Sequence, residues 1–351
     1  MAAPAAAVHR NPMDSMKSTW QKADKSTWAF PHRFFNFFDP VEKQIDPPIH
    51  AKTDKVPYLP DWRMHVWILS HALVPVALHH AYVLYSGSNP HMLVVFLFYS
   101  LALNVNGGRE IRLLRQVGNK TGYLDGDKHA RDGIPDYTIR KVMVSLLTAS
   151  HVRPMLTVML SYSAAQTPAT INWRWLPLEI GLALLAVDFW FYWYHRLMHE
   201  VSFLWKFHRT HHLTKHPNPL LSLYADHVQE MFDVVVIPTL GYLTVRALGL
   251  PMGFYETWVC HQYLIFTEAL GHSGLRVYVT APSPFSPIFR FLGIEGIIED
   301  HDLHHRYGWK SSHSYAKHCR LWDVAFGTDY KRIECTETNI DWNDTVKFPL
   351  F

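Results

Sequence analysis

Eight histidines in three short clusters constrain this chain more than any other feature: His195-Arg-Leu-Met-His199, His208-Arg-Thr-His211-His212 and His301-Asp-Leu-His304-His305. Residues three and four apart are neighbours on a helical surface, so each spacing predicts a helix that turns its imidazoles to one side. Imidazole is the commonest side-chain metal ligand and suits iron, zinc, copper and nickel. Two, three and three ligands exceed what one four- to six-coordinate ion uses. Two ions sharing one pocket is the simplest reading. HxxxH alone is often just a solvated helix face, but two copies of HxxHH beside it are far more specific. The zinc-protease motif HExxH is excluded, because it needs Glu after the first histidine and position 196 is Arg.

Such a pocket requires the apolar parts of the chain to return the clusters to one place. Five apolar stretches stand out: Val66–Tyr85, Met92–Asn106, Val142–Ser163, Leu176–Tyr194, and the long pair Met231–Leu250 and Gly253–Leu270, folded over at Gly-Leu-Pro-Met-Gly. Several approach the roughly 20 residues that cross a bilayer. Met92–Asn106 is short and needs tilt or bilayer thinning; the third stretch is weakened by His151, Arg153 and Pro154. Charged residues make up 18% of the chain and hydrophobic ones 48%, whereas soluble domains carry roughly 25% charge. That balance favours a membrane protein. The mean hydropathy of −0.07 excludes a chain mostly buried in lipid.

Charge sets the orientation. Gly107–Lys141 carries Arg109, Arg112, Arg115, Lys120, Lys128, Arg131, Arg140 and Lys141, while the turns at 86–91 and 249–253 carry no Lys or Arg. By the positive-inside rule the basic segment is cytosolic. An even number of crossings then separates the second and third clusters, so all three meet on the cytosolic face. Phe189–Tyr194, six consecutive aromatics before the first cluster, reads as an aromatic belt at the water interface. The expected fold is all-α: a multi-pass helical membrane protein whose cytosol-facing, histidine-rich helical cap holds a dinuclear metal site. Its expected parts are a flexible or surface-lying cytosolic arm at 1–60, membrane hairpins and the basic loop at 61–175, the histidine domain at 176–330, and a tail at 331–351. β-strand signals are few, and there is no internal repeat.

A net charge of +3, without a basic, aromatic-interleaved stripe, gives no support for nucleic-acid binding. The cysteines Cys260, Cys319 and Cys335 form no CxxC pair, which points to a reducing environment without disulfides. No basic stretch followed by an apolar run stands near residue 1, so no cleavable signal peptide is expected.

The clusters and their surroundings resemble the fatty acid hydroxylase/sterol desaturase superfamily of membrane-bound di-iron oxygenases, in its C-4 methylsterol oxidase-like branch. The family signature is HxxxH, HxxHH and HxxHH. Leu204-Trp205-Lys206-Phe207-His208 is similar to the lead into its second box, Glu268-Ala-Leu-Gly-His272-Ser273-Gly274 to its E…HSG element, and Leu321-Trp322-Asp323-Val324-Ala325-Phe326-Gly327-Thr328 to its closing WDxxFGT. The resemblance runs from about Leu176 to Tyr330. It implies a di-iron centre facing the cytosol from the endoplasmic reticulum membrane, activating O₂ with electrons from NADPH or NADH, commonly through cytochrome b5 and its reductase. It implies His195, His199, His208, His211, His212, His301, His304 and His305 as ligands, with His272 a ninth and His227, in the place of the HPxE histidine, a tenth. Three departures stand out: Val228 replaces the proline of HPxE, Leu275-Arg-Val-Tyr follows HSG where YDxPW is usual, and Lys310-Ser-Ser-His-Ser-Tyr315 replaces the NYG-like stretch. These spare the boxes and leave the substrate open among sterols, sphingoid bases, fatty acyl chains and secondary metabolites.

A metal-bound imidazole usually donates its other N–H to a carboxylate or carbonyl. Asp188, one heptad before His195 in an apolar stretch, is the leading candidate partner, followed by Glu230, Glu268, Asp300 and Asp302. His216, His261, His313 and His318 are further residues that could reach the site, while His65, His71, His79 and His80 read as polar residues facing other helices or the interface. The expected activity is O₂-dependent hydroxylation or oxidation of an apolar substrate. A desaturase of the sterol C-5 type would use the same site, and the alternative from another class is a protein that transports or stores metal.

Overall fold

The computed structural model describes residues 11–39 and 46–350. After a short amphipathic helix α1 (Phe30–Phe38), the body is built from long helices: α2 (Asp61–Ser86), α3 (Met92–Thr121), α4 (Ile139–Ser161), α5 (Leu176–Glu200), and α7 (His227–Met231) running through a π turn at Phe232–Val236 into α8 (Ile237–Ala247). Each apolar stretch of the sequence lies in one of these or in α9 (Phe254–Gly271). Five of the helices are long and apolar enough to cross a membrane. Their outer faces carry exposed leucines such as Leu78, Leu97 and Leu101, at 58%, 63% and 63%. A soluble domain seldom leaves so large an apolar patch facing water.

α9 is the axis of this body. Trp258, Tyr263 and Phe266 are each 1% exposed, and the helix packs against α2, α3, α4 and α5. The stretch Gly253–Leu270 is therefore enclosed by other helices. α3 runs on as helix past the apolar limit at Asn106, through Arg109, Arg112 and Arg115, to Thr121. Pro154 lies inside α4 without ending it.

The remaining elements are short: α6 (Ser202–His208), α10 (Ser286–Phe291), α11 (Ile298–Tyr307) and α12 (Leu321–Phe326), of which α6 and α12 pack on α5 and α11 packs on α9. The parallel strands β1 (Val56–Tyr58) and β2 (Ile340–Thr345) tie the tail to the segment before α2. Among the described residues the N-terminal region is not a free arm. Trp20, Trp28 and Phe35 pack with Ile139, Val142 and Leu221, and the Trp20 indole donates to Ile134 O at 3.1 Å.

The six aromatics Phe189–Tyr194 do not form a belt facing outward. None is exposed; Tyr192 stacks on Phe326 and Phe191 packs against His195. They are core around the first histidine cluster, because α5 is covered there by α12 and by the segment that follows α11.

Candidate metal centre

The structure brings nine histidines together in two groups. His195, His199, His208, His212 and His304 form one; His211, His272, His301 and His305 form the other, and within each group one ring nitrogen per residue lies within 4.8 Å of all the rest. None of the nine is more than 6% exposed.

Helix geometry accounts for part of how the boxes divide. Successive residues turn by about 100°, so positions i+3 and i+4 diverge to either side of position i. The i, i+4 pairs stay together: His195 with His199, His208 with His212, and His301 with His305. The residue at i+3 crosses over, His211 to the four-histidine group and His304 to the five-histidine group. The second box is not one continuous helix, however. α6 ends at His208, and His211 and His212 lie in a 3₁₀ turn, His211–Leu213. His272, just past the end of α9, supplies the fourth member that the boxes alone leave missing.

The outer nitrogens are held mostly by backbone. The Nδ1 of His195 lies 2.7 Å from Tyr315 O, that of His199 2.7 Å from Trp309 O, and that of His304 2.6 Å from His313 O. The Nδ1 of His305 lies 2.9 Å from Thr214 O, and that of His272 2.8 Å from Glu268 O. A carbonyl only accepts, so each of these rings carries its proton on Nδ1 and turns a bare Nε2 lone pair into the pocket. His208 uses a side chain instead, its Nδ1 2.9 Å from Gln229 Oε1.

Inside the pocket the nitrogens crowd. His195 and His208 bring Nε2 atoms to 3.0 Å, His304 and His212 to 3.0 Å, and His301 and His272 to 3.0 Å. The buried Nε2 atoms of His199 and His305 have no protein partner. Lone pairs facing one another at this distance repel unless a cation lies among them. Two imidazole nitrogens each about 2.1 Å from one ion, and at right angles, stand about 3 Å apart, so the donor set fits two metal ions. Burial, reinforced by the neighbouring rings, pushes His211, His212, His301, His304 and His305 well below the ordinary imidazole range, and burial takes His272 down to about 4. They stay neutral, the form that binds metal.

His227 is not brought in. It begins α7, where Asp226 caps Val228 N, and its ring is 77% exposed beside Glu230. Two residues on and about 200° around the helix, Gln229 is buried and meets His208. The proposed carboxylate partners are placed differently as well. Asp188 is fully buried but touches no cluster imidazole; it accepts the backbone N–H groups of Lys317 (2.8 Å), His318 (3.0 Å) and Cys319 (3.3 Å). Asp323 takes Tyr315 N at 2.8 Å and Ala316 N at 3.0 Å. Together they clamp the segment whose Tyr315 carbonyl holds His195. Glu230 accepts from Ser145 Oγ at 2.6 Å, and Asp300 and Asp302 pair with Arg332 and with Arg131 and Arg306. Glu268 alone approaches a ligand ring, its Oε1 3.5 Å from His272 Nδ1.

The other histidines sort by contact. His313 contributes its carbonyl to His304, His318 its backbone N–H to Asp188, and His216 pairs with Asp125. His261 donates to or accepts from Thr157 Oγ1 at 2.8 Å and lines a cavity near Glu268. His65 and His79 bond Tyr263 and Tyr99 on neighbouring helices.

Gly274 shows why the HSG element ends in glycine. Its φ of +60° disfavours any side chain, and a Cβ there would fall 1.8 Å from Arg131 Nη1. That guanidinium is itself buried against Asp302 at 2.8 Å.

Residues 180–328 match the fatty acid hydroxylase family. Over 307 residues the chain is 39% identical to fatty acid hydroxylase vlmA of Lecanicillium sp, covering 84% of each chain. The chain belongs to the fatty acid hydroxylase superfamily. Other relatives are methylsterol monooxygenase 2-2 of Arabidopsis thaliana, 29% identical over 58% of this chain and 71% of its own length, and alkylglycerol monooxygenase of Xenopus tropicalis, 26% identical over 56% of this chain and 37% of its own. No solved structure matches. These relatives are named as hydroxylases and monooxygenases, which supports an oxidoreductase, and the two histidine groups of this superfamily member could each hold a metal ion.

Proposed function

We propose that this protein is a membrane-bound, O₂-dependent di-iron hydroxylase or oxidase that acts on an apolar, lipid-like substrate. The observation that carries the reading is the pair of all-imidazole groups, buried, neutral and crowded Nε2 to Nε2. His195, His199, His208, His212 and His304 would hold one iron; His211, His272, His301 and His305 would hold the other. Iron is favoured over zinc because the relatives' names are those of hydroxylases and monooxygenases, and zinc undergoes no redox change. When bound, the two irons supply the redox capacity that attack on an unactivated C–H bond requires.

The balance of such a reaction is one oxygen atom into the C–H bond and the other into water, with two electrons and two protons consumed. NAD(P)H would supply the electrons through a redox partner, cytochrome b5 and its reductase. The chain's own residues orient and exclude. Backbone carbonyls fix five rings, Gln229 fixes a sixth, and Asp188 and Asp323 clamp the segment between α11 and α12. The rings of Trp205 and Tyr315 wall the five-histidine group against water. The basic residues of 107–141 favour a cytosol-facing cap, and the endoplasmic reticulum is the expected membrane.

Purified from membranes, the protein should carry two irons per chain. It should consume O₂ and NAD(P)H only when a lipid extract and the redox partners are present. Zinc found after purification would decide nothing, since imidazole sites accept it readily. Iron-free protein that moves zinc across vesicles would overturn the reading.

A further inference from the structure

Three cavities meet at Glu268. The largest, about 790 Å³ of empty space that includes its opening to the outside, is walled by apolar side chains of α1, α3, α4 and α9, among them Phe34, Phe38, Leu103 and Leu146, and includes Arg153, Ile265 and Glu268. A second, about 490 Å³, shares those last three residues and adds Asp233, His261 and Lys317. The third, about 350 Å³, shares Glu268 and Lys317 and reaches His272 and His301 of the four-histidine group. α1 stands at the wall of the first cavity with Phe30 and Phe37 exposed on its far side, at 66% and 69%.

The junction carries two cations, Arg153 and Lys317, and two carboxylates, Glu268 and Asp233. Lys317 is ion-paired to Glu268. One oxygen of Asp233 accepts from Gln229 Nε2 at 3.1 Å; the other is buried without a partner. Asp233 lies in the π turn Phe232–Val236, which shifts its side chain out of α-helical phase. Such turns are rare and gather at functional sites.

We propose that these cavities form one substrate passage, and that Arg153, Asp233, Glu268 and Lys317 select an apolar chain bearing an uncharged donor–acceptor group, a hydroxyl or an amide. The inference rests on the oxygenase reading and names its substrate class. The four formal charges cancel. A carboxylate or ammonium brought among them would leave one buried charge unpaired, which is costly. A hydroxyl or amide donates to the open oxygen of Asp233 and accepts from Arg153. A plain hydrocarbon leaves both unmet. The apolar chain fills the first cavity. Because Glu268 lines the junction and also lies 3.5 Å from His272 Nδ1, the carbon facing the metals is within a few bonds of the polar group.

The test uses the full, metal-loaded chain in lipid nanodiscs and reads binding rather than turnover, by displacement of a radiolabelled 16-carbon alcohol. The competitors are the primary amide, the carboxylate, the trimethylammonium compound and the alkane of equal length. The alcohol and the amide should bind at least about tenfold tighter than the other three, the worth of one or two net hydrogen bonds. Asp233→Asn and Arg153→Met should bring the alcohol toward the affinity of the alkane. Gly107→Leu lies on the wall of the first cavity, where an added Cβ meets nothing within 4 Å; it should weaken every ligand with metal content unchanged. Best binding by the carboxylate, equal binding of alcohol and alkane, or an indifferent Gly107→Leu would each overturn the proposal. Tight alcohol binding by a protein that oxidises nothing would instead refute the oxygenase reading and leave this one standing.

Discussion

The two histidine groups are unequal. The five-histidine group is closed: Tyr315, Trp309 and His313 carbonyls and the Gln229 amide fix four of its rings, and its residues line none of the cavities around Glu268. The four-histidine group has one ligand fewer, and two of its members, His272 and His301, face a cavity. Structural metal sites are typically saturated by protein, and catalytic ones keep a position open. On the proposed reading, this difference would put substrate on the four-histidine side and make the other ion its fixed companion.

Removing one ligand from each group is the sharpest way to break that assignment. His272→Ala leaves three rings on the substrate side, and should reduce metal content from two ions per chain to one and abolish turnover. His199→Ala leaves four rings, and should retain both ions with turnover lowered by about 10- to 100-fold, the scale of a perturbed but surviving site. Metal analysis beside O₂ uptake separates the cases. Equal losses in the two variants would mean that the groups are equivalent.

Gly274→Ala strikes the support of the four-histidine side. The new Cβ collides with Arg131 and pushes it off Asp302, next in sequence to His301. Breaking a buried ion pair costs on the order of 3 kcal/mol, so the unfolding midpoint in denaturant should fall before any metal affinity is measured. Gly274→Ala with wild-type stability would show that Arg131 has another place to go. Gln229→Leu acts on the other side. It removes the Gln229 oxygen that accepts from His208 Nδ1 and should weaken metal binding there by about 10-fold, with the four-histidine group unaffected.

Much of this site is legible in the sequence, and the reason is geometric. Histidines three and four apart lie toward one side of a helix, so the box histidines can be read from spacing and the helix that carries the first box from its apolarity. His272 is legible only through its HSG context. Three things are hidden. The assignment of His211 and His304 to opposite groups depends on how separate segments approach one another. The carbonyls of Tyr315, Trp309, His313 and Thr214 leave no trace, because any residue can offer one. Gln229 lies on the other side of α7 from His227, which the HPxE resemblance singles out instead, and Asp233 is carried out of α-helical phase by a π turn that no residue type announces. In the fold, apolarity marks α2 to α5, α8 and α9 but misjudges their ends: α3 continues through three arginines because its far half packs against protein.

Asp188→Asn is the smallest effect and the most discriminating about how the closed group is held. A carboxylate bonded to a ligand imidazole would tune that ligand, and its loss would show as lost metal. Asp188 instead accepts three backbone N–H groups, from Lys317, His318 and Cys319, and the Cys319 thiol at 3.2 Å. An asparagine oxygen can still accept from Lys317 and His318. Its NH₂, however, would face the Cys319 N–H, donor against donor, at a cost of about 1–2 kcal/mol. The expected outcome is a lower unfolding midpoint with two metal ions still bound and turnover reduced only a few-fold, because Asp323 continues to hold Tyr315 and Ala316. Loss of metal from the five-histidine group at unchanged stability would show that the carboxylate acts on the ligands themselves and that the clamp through the backbone is not how the group is closed.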